Sequence, residues 1–154
     1  MDVTQMYQDI ILDHYREKHH SGLRDPFDAQ VHHVNPSCGD ELTLRVSVVD
    51  GVIDDVSYEG DGCSISQAST SILADLVIGR PVADALGLYE DFQAMMEGAG
   101  EPDEDRLEDA IAFQGVAMFP GRVKCAMLAW SALRDALLRS GAVTDLTRAE
   151  GREE

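Results

Sequence analysis

Glu41-Leu-Thr-Leu-Arg-Val-Ser-Val48, then Val49-Asp50-Gly51, then Val52-Ile-Asp-Asp-Val-Ser-Tyr-Glu59 is the stretch that decides the fold class. Leu42, Leu44, Val46 and Val48 alternate with Glu41, Thr43, Arg45 and Ser47, the period of two that marks a half-buried strand. Asp50-Gly51 supplies a hairpin turn, because a two-residue connection needs residues that tolerate positive φ. Val52 to Glu59 returns as the partner strand. Upstream, Ala29 to Val34 reads as a further strand, so the expectation is a small antiparallel sheet of about three strands.

On both sides of the sheet the period becomes helical. Val3, Met6, Tyr7, Ile10, Ile11 and His14 mark an amphipathic helix over Val3 to Tyr15, and the polar stretch from Arg16 to Phe27 reads as a loop. After Gly60-Asp61-Gly62, the residues Ile65, Ala68, Ile72, Leu73 and Leu76 share one helical face that ends near Gly79. Pro81 opens another helix from its favoured first position, running through Leu86, Tyr89, Phe92 and Met96. A short helix is expected around Leu107 to Ala112. The last helix begins near Arg122 and carries Leu128, Leu133 and Leu137 as far as Gly141. The fold class is therefore α+β, a small antiparallel sheet packed against helices. It forms a single domain over residues 1–141, followed by a polar, loose tail over 142–154.

The 154 residues carry a formal net charge of −17, which repels phosphate backbones and anionic membrane surfaces. Neither nucleic acid nor membrane is expected as a partner, and a protein with a basic face fits better. Much of the charge lies in segment 90–109, where Glu90, Asp91, Glu97, Glu101, Asp103, Glu104, Asp105, Glu108 and Asp109 face a single Arg106. That run is either a solvated surface or an electrostatic docking edge. No window approaches the roughly 18 consecutive apolar residues of a membrane helix. Asp2, Asp9 and Asp13 stand where a signal peptide would be basic and then apolar. A cytoplasmic protein with reduced thiols is the expectation.

The three cysteines each sit beside a backbone punctuator: Asn35-Pro36-Ser37-Cys38-Gly39-Asp40, Gly60-Asp61-Gly62-Cys63 and Pro120-Gly121-Arg122-Val123-Lys124-Cys125. Cys63 and Cys125 fall at expected helix N-termini, where free amides favour a thiolate, and Arg122 and Lys124 add positive charge beside Cys125. A tetrahedral zinc site needs four ligands. Asp40, two positions after Cys38 on a loop loosened by Gly39, is best placed to join the cysteines. Histidines compete for that position: His14 reads as a packed helix residue, His19 and His20 as solvent-facing, and His32 and His33 as opposite faces of the first strand. Spacing alone leaves the ligand set open, since no C-x-x-C pair is present.

Three segments together resemble the NifU N-terminal, IscU-like family: Asn35-Pro-Ser-Cys38-Gly-Asp40, Glu59-Gly-Asp-Gly-Cys63-Ser-Ile-Ser-Gln-Ala-Ser69 and Arg122-Val-Lys-Cys125-Ala-Met-Leu-Ala-Trp130. The resemblance runs from the first helix to about Gly141. Scaffold members of this family place a histidine before the last cysteine and carry a Leu-Pro-Pro-Val-Lys motif. Here that position is Lys124 and the motif is absent, while the acidic segment is similar to the insertion of the SufU branch.

The resemblance implies a Zn²⁺ ion held by Cys38, Asp40, Cys63 and Cys125, and a SufS-type cysteine desulfurase as partner. A histidine of the desulfurase takes a zinc position and frees Cys38, which attacks the partner's persulfide and becomes the sulfur carrier. Arg122 and Lys124 dock the partner or offset charge, and sulfur passes to downstream SUF proteins for iron-sulfur cluster assembly. The alternatives are a scaffold that holds iron or a [2Fe-2S] cluster on the same ligands, and a structural zinc domain.

Overall fold

The computed structural model describes residues 3–141, so the tail expected from residue 142 lies outside the described residues. Three strands, β1 (Ala29–Asn35), β2 (Asp40–Val49) and β3 (Val52–Asp61), form one antiparallel sheet in the order β1-β2-β3. Asp50 and Gly51 both have positive φ, 52° and 79°, as the sequence pair demanded of the β2-β3 turn.

Leu42, Leu44 and Val46 point into the core, and Asp40 heads the same inward row. The sequence placed Asp40 on a loop. It is instead the first residue of β2, paired with Asn35 across the hairpin. In β3 the alternation breaks, because Ser47 pairs with Asp55 while Val48 pairs with Ile53, leaving Asp54 as an extra residue. This bulge moves the inward positions from Ile53 to Val56 and Tyr58.

The described residues form five α-helices: α1 (Val3–Glu17), α2 (Ser64–Val77), α3 (Val82–Met96), α4 (Glu104–Leu107) and α5 (Pro120–Arg139). Helix α5 lies on β1 and β2, α2 lies on β3, α1 packs on α2, and α3 packs on α5. Pro81 is the residue before α3, not its first residue. The short helix expected around Leu107 divides into α4 and a run of 3-10 turns over Glu108–Met118. Among the described residues no helix is long and apolar enough to cross a membrane.

One polar link inside the core ties α2 to α5. Ser69 Oγ donates to the Ala126 carbonyl at 2.7 Å and accepts from Trp130 Nε1 at 3.2 Å. The fully buried Trp130 ring stacks on Phe92 of α3, with centroids 4.3 Å apart and planes within 6°. The acidic segment is partly used internally: Arg106 bonds Asp84 and Asp91, and Arg80 bonds Asp84 and Glu108. Arg80 first, then Arg106, holds the Asp84 carboxyl below its usual range. Glu90, Glu97, Glu101 and Glu104 remain exposed.

Trp130→Ala removes the stacked ring and the donor to Ser69 together. It is expected to cost about 3–5 kcal/mol, read as a lower urea midpoint with an unchanged slope. A loss below about 1 kcal/mol would show that this ring is not what holds the helices together.

Candidate metal centre

The three cysteine segments meet at one end of the sheet. The β1-β2 hairpin turns through Pro36 to Gly39, where the Cys38 and Gly39 amides donate to the Asn35 carbonyl and Gly39 takes a φ of 73°. That turn leaves Cys38 exposed. Cys63 is the N-cap of α2, and its amide donates to Asp40 Oδ1 at 3.0 Å. Cys125 is reached from α5 and is 1% exposed.

The ligand atoms of Cys38, Asp40 and Cys125 all lie within 4.8 Å of one another. The sulfurs of Cys38 and Cys125 are 2.9 Å apart with both thiols free. Asn35 Nδ2 donates to Cys125 Sγ at 3.9 Å. The Cys63 sulfur falls outside the 4.8 Å set and lies 4.0 Å from Ser66 Oγ. Of the four sequence candidates, Cys38, Asp40 and Cys125 lie within this set, and Cys63 adjoins it through its amide, which bonds Asp40, and through its thiol, which acts on Cys125.

Asp40 is completely buried. Oδ1 accepts from the Cys63 amide, and Oδ2 has no hydrogen-bond partner. A buried carboxylate oxygen without a donor is costly, and such a group calls for a positive charge or a proton beside it. Gly62 is what lets the backbone lie against this carboxylate: a Cβ there would meet both Asp40 Oδ1 and Ser66 Oγ at 2.5 Å. Two soft thiol donors beside a hard carboxylate suit a borderline divalent ion of the zinc type.

Cys125 does not behave as a helix-terminus thiol. It is the sixth residue of α5, beyond the free amides of the first turn. Burial, then the neighbouring Cys38, Asp40 and Cys63, push its thiol pKa upward, opposite to the direction its sequence position suggested. A cation within the set would reverse that preference, because the groups that oppose one another's ionisation would then share a counter-charge.

The histidines stand apart from this cluster. His33 Nε2 pairs with Asp135 Oδ2 at 3.0 Å, and that contact is the first cause of the lowered Asp135 carboxyl pKa. His32 faces Thr43 and Glu41 on the outer side of the sheet. Arg122 and Lys124 are exposed on α5, and among the described residues neither has an ion-pair partner. Sequence reasoning missed Asn35 and Ser66 as neighbours of the thiols. Asn35 was legible in principle, since it occupies the inward row of β1.

Comparison with known proteins places the chain among described families. The model of the NifU-like N terminal domain family matches residues 6–126. The chain is 39% identical over 145 residues to the iron-sulfur cluster assembly scaffold protein IscU of Streptococcus pyogenes serotype M1, covering 94% of this chain and 91% of that one. It is 37% identical to the zinc-dependent sulfurtransferase SufU of Bacillus subtilis strain 168, covering 86% and 89%. A crystal structure of a candidate iron-sulfur cluster assembly scaffold protein for the SUF system from Fervidobacterium islandicum AW-1 superposes with a TM-score of 0.80. Its identity is 37%, and the match covers 88% of this chain and 99% of that one. The family match over residues 6–126 and these identities show that the chain belongs to the NifU-like N-terminal domain family, among relatives named both IscU and SufU.

Proposed function

We propose that this chain takes persulfide sulfur from a SufS-type cysteine desulfurase onto Cys38 and passes it toward iron-sulfur cluster assembly. Cys38, Asp40, Cys63 and Cys125 are the residues that would hold a Zn²⁺ ion beside the reacting sulfur. The observation that carries this reading is Asp40, fully buried, with Oδ2 unpartnered among the described residues and a carboxylate oxygen within 4.8 Å of two cysteine sulfurs. Cys63 is included because its amide already fixes the Asp40 carboxylate. The name of the Bacillus subtilis relative supports the choice of metal and reaction.

Zinc held there would supply charge that keeps thiols ionised, and it has no redox chemistry of its own. The protein residues divide the remaining work. Cys125, almost fully buried, cannot meet a partner's sulfur, whereas Cys38 is exposed at the tip of its hairpin. The Cys38 thiolate attacks the terminal sulfur of the persulfide. A new sulfur-sulfur bond forms on Cys38 as the partner's own sulfur-sulfur bond breaks, and the electron pair leaves on the partner's cysteine thiolate. No external oxidant or reductant is consumed. Three thiolates and a carboxylate around a dication leave about two negative charges, which Arg122 and Lys124 offset from α5 while remaining free to meet an acidic patch on the partner.

Cys38→Ala is expected to lower labelled-sulfur transfer from the desulfurase by about a hundredfold or more, the loss that follows removal of a nucleophile. Unchanged transfer would dismiss Cys38 as the acceptor. Asp40→Ala should leave a folded protein with a clearly lower zinc content by elemental analysis, and full retention of zinc would remove Asp40 from the centre. Gly62→Ala forces the carboxylate from the Cys63 amide and should weaken zinc retention, with a stability loss of about 1–3 kcal/mol by thermal denaturation. A brown protein carrying iron and sulfide in place of zinc would favour the scaffold alternative instead.

A further inference from the structure

A second cluster of metal-ligating groups lies away from the cysteines. Asp75 stands twelve residues beyond Cys63, which places it about 18 Å further along α2 at ~1.5 Å per residue. One ligand atom each from His14, His19 and Asp75 lies within 4.8 Å of the others. His19, expected to face solvent, has its ring held between two carboxylates: Nδ1 is 2.5 Å from Asp75 Oδ2 and Nε2 is 2.6 Å from Glu17 Oε1. His14 is 5% exposed, with Nδ1 2.8 Å from Ser71 Oγ and Nε2 3.1 Å from Asp109 Oδ2. His20 Nε2 reaches the other Asp75 oxygen, Oδ1, at 2.9 Å.

The two rings share one arrangement. Each gives Nε2 to a carboxylate, Asp109 for His14 and Glu17 for His19, which leaves Nδ1 of each directed at α2. Ser71 and Asp75, the two residues those Nδ1 atoms meet, are four apart on α2 and share one face. A carboxylate behind an imidazole fixes its orientation and makes its free nitrogen a better metal donor. With neutral imidazoles, Glu17, Asp75 and Asp109 give the cluster a net negative charge.

We propose that His14, His19 and Asp75 form a second divalent metal site, of a two-imidazole, one-carboxylate kind that suits zinc-type transition-metal ions, with Glu17 and Asp109 as its supporting carboxylates. The site joins α1 to α2 and shares no ligand with the cysteine centre. Its occupation would pin the loop after α1 against α2, since the His19 amide already donates to Ser71 Oγ at 2.9 Å. It stands independently of the sulfur-transfer reading.

Cobalt separates the two sites in one experiment on the full chain stripped of metal. A cysteine-bound Co²⁺ shows a thiolate-to-metal charge-transfer band in the near ultraviolet, whereas a site built from imidazole and carboxylate does not. Equilibrium dialysis in mildly alkaline buffer is expected to give two Co²⁺ per chain for the wild type. For His19→Ala it should give one, with the charge-transfer band unchanged. Glu17→Gln should keep the second ion but weaken it by about tenfold or more. Saturation of the wild type at one ion with a full charge-transfer band, or two ions still bound by His19→Ala, would overturn the proposal. Loss of the band with one ion retained would count against the cysteine centre alone.

Discussion

The organisation of the cysteine end depends on the burial of one carboxylate. Asp40 heads an inward row of β2 whose other members are apolar, so the alternation that builds the core also carries a charged group out of water. Removing an ionised carboxylate from solvent costs several kcal/mol unless positive charge or donors replace the water. Here one oxygen has a backbone amide, the other has no donor among the described residues, and the carboxylate lies beside two thiols. The turn through Gly39, the close approach at Gly62 and the N-cap position of Cys63 all follow the need to enclose that group.

The ion pairs elsewhere obey a different rule. Arg80 and Arg106 gather Asp84, Asp91 and Glu108 at a partly exposed surface, where each pair contributes little alone but the shared guanidinium groups give the α3-α4 edge a defined shape. The acidic segment is therefore neither wholly a solvated surface nor wholly a docking edge. One part closes on the protein's own arginines, and the rest supplies open negative charge.

Much of this was legible in residue order, for local reasons. The period of two from Leu42 to Val48 and the Asp50-Gly51 pair define the β2-β3 hairpin, because both signals act within a few residues. The same period, continued one step back from Leu42, already puts Asp40 on the inward face. Reading Asp40 as part of a loop loosened by Gly39 hid this. The bulge at Asp54 and the 3-10 turns after Leu107 left no such trace, since both are set by packing against distant elements. The convergence of Cys38 with Cys125 came from a resemblance of motifs, not from spacing, and the position of Cys125 in the second turn of α5 depended on a helix starting at Pro120 and not near Arg122. The clamp on His19 was hidden for the same reason, because Asp75 reaches it from another helix.

Among the groups of the cysteine end, Cys38 alone is carried by a tight turn; Asp40 begins a strand, Cys63 caps a helix and Cys125 lies within one. Two carbonyl contacts at Asn35 and the left-handed Gly39 hold that turn, and neither belongs to the core. Short surface loops rearrange in nanoseconds to microseconds, whereas a packed helix shifts far more slowly. Of the four groups, the Cys38 sulfur is thus the one mounted on a surface turn, so a displacement of that turn would reach it without disturbing the strand and helices that carry its three neighbours.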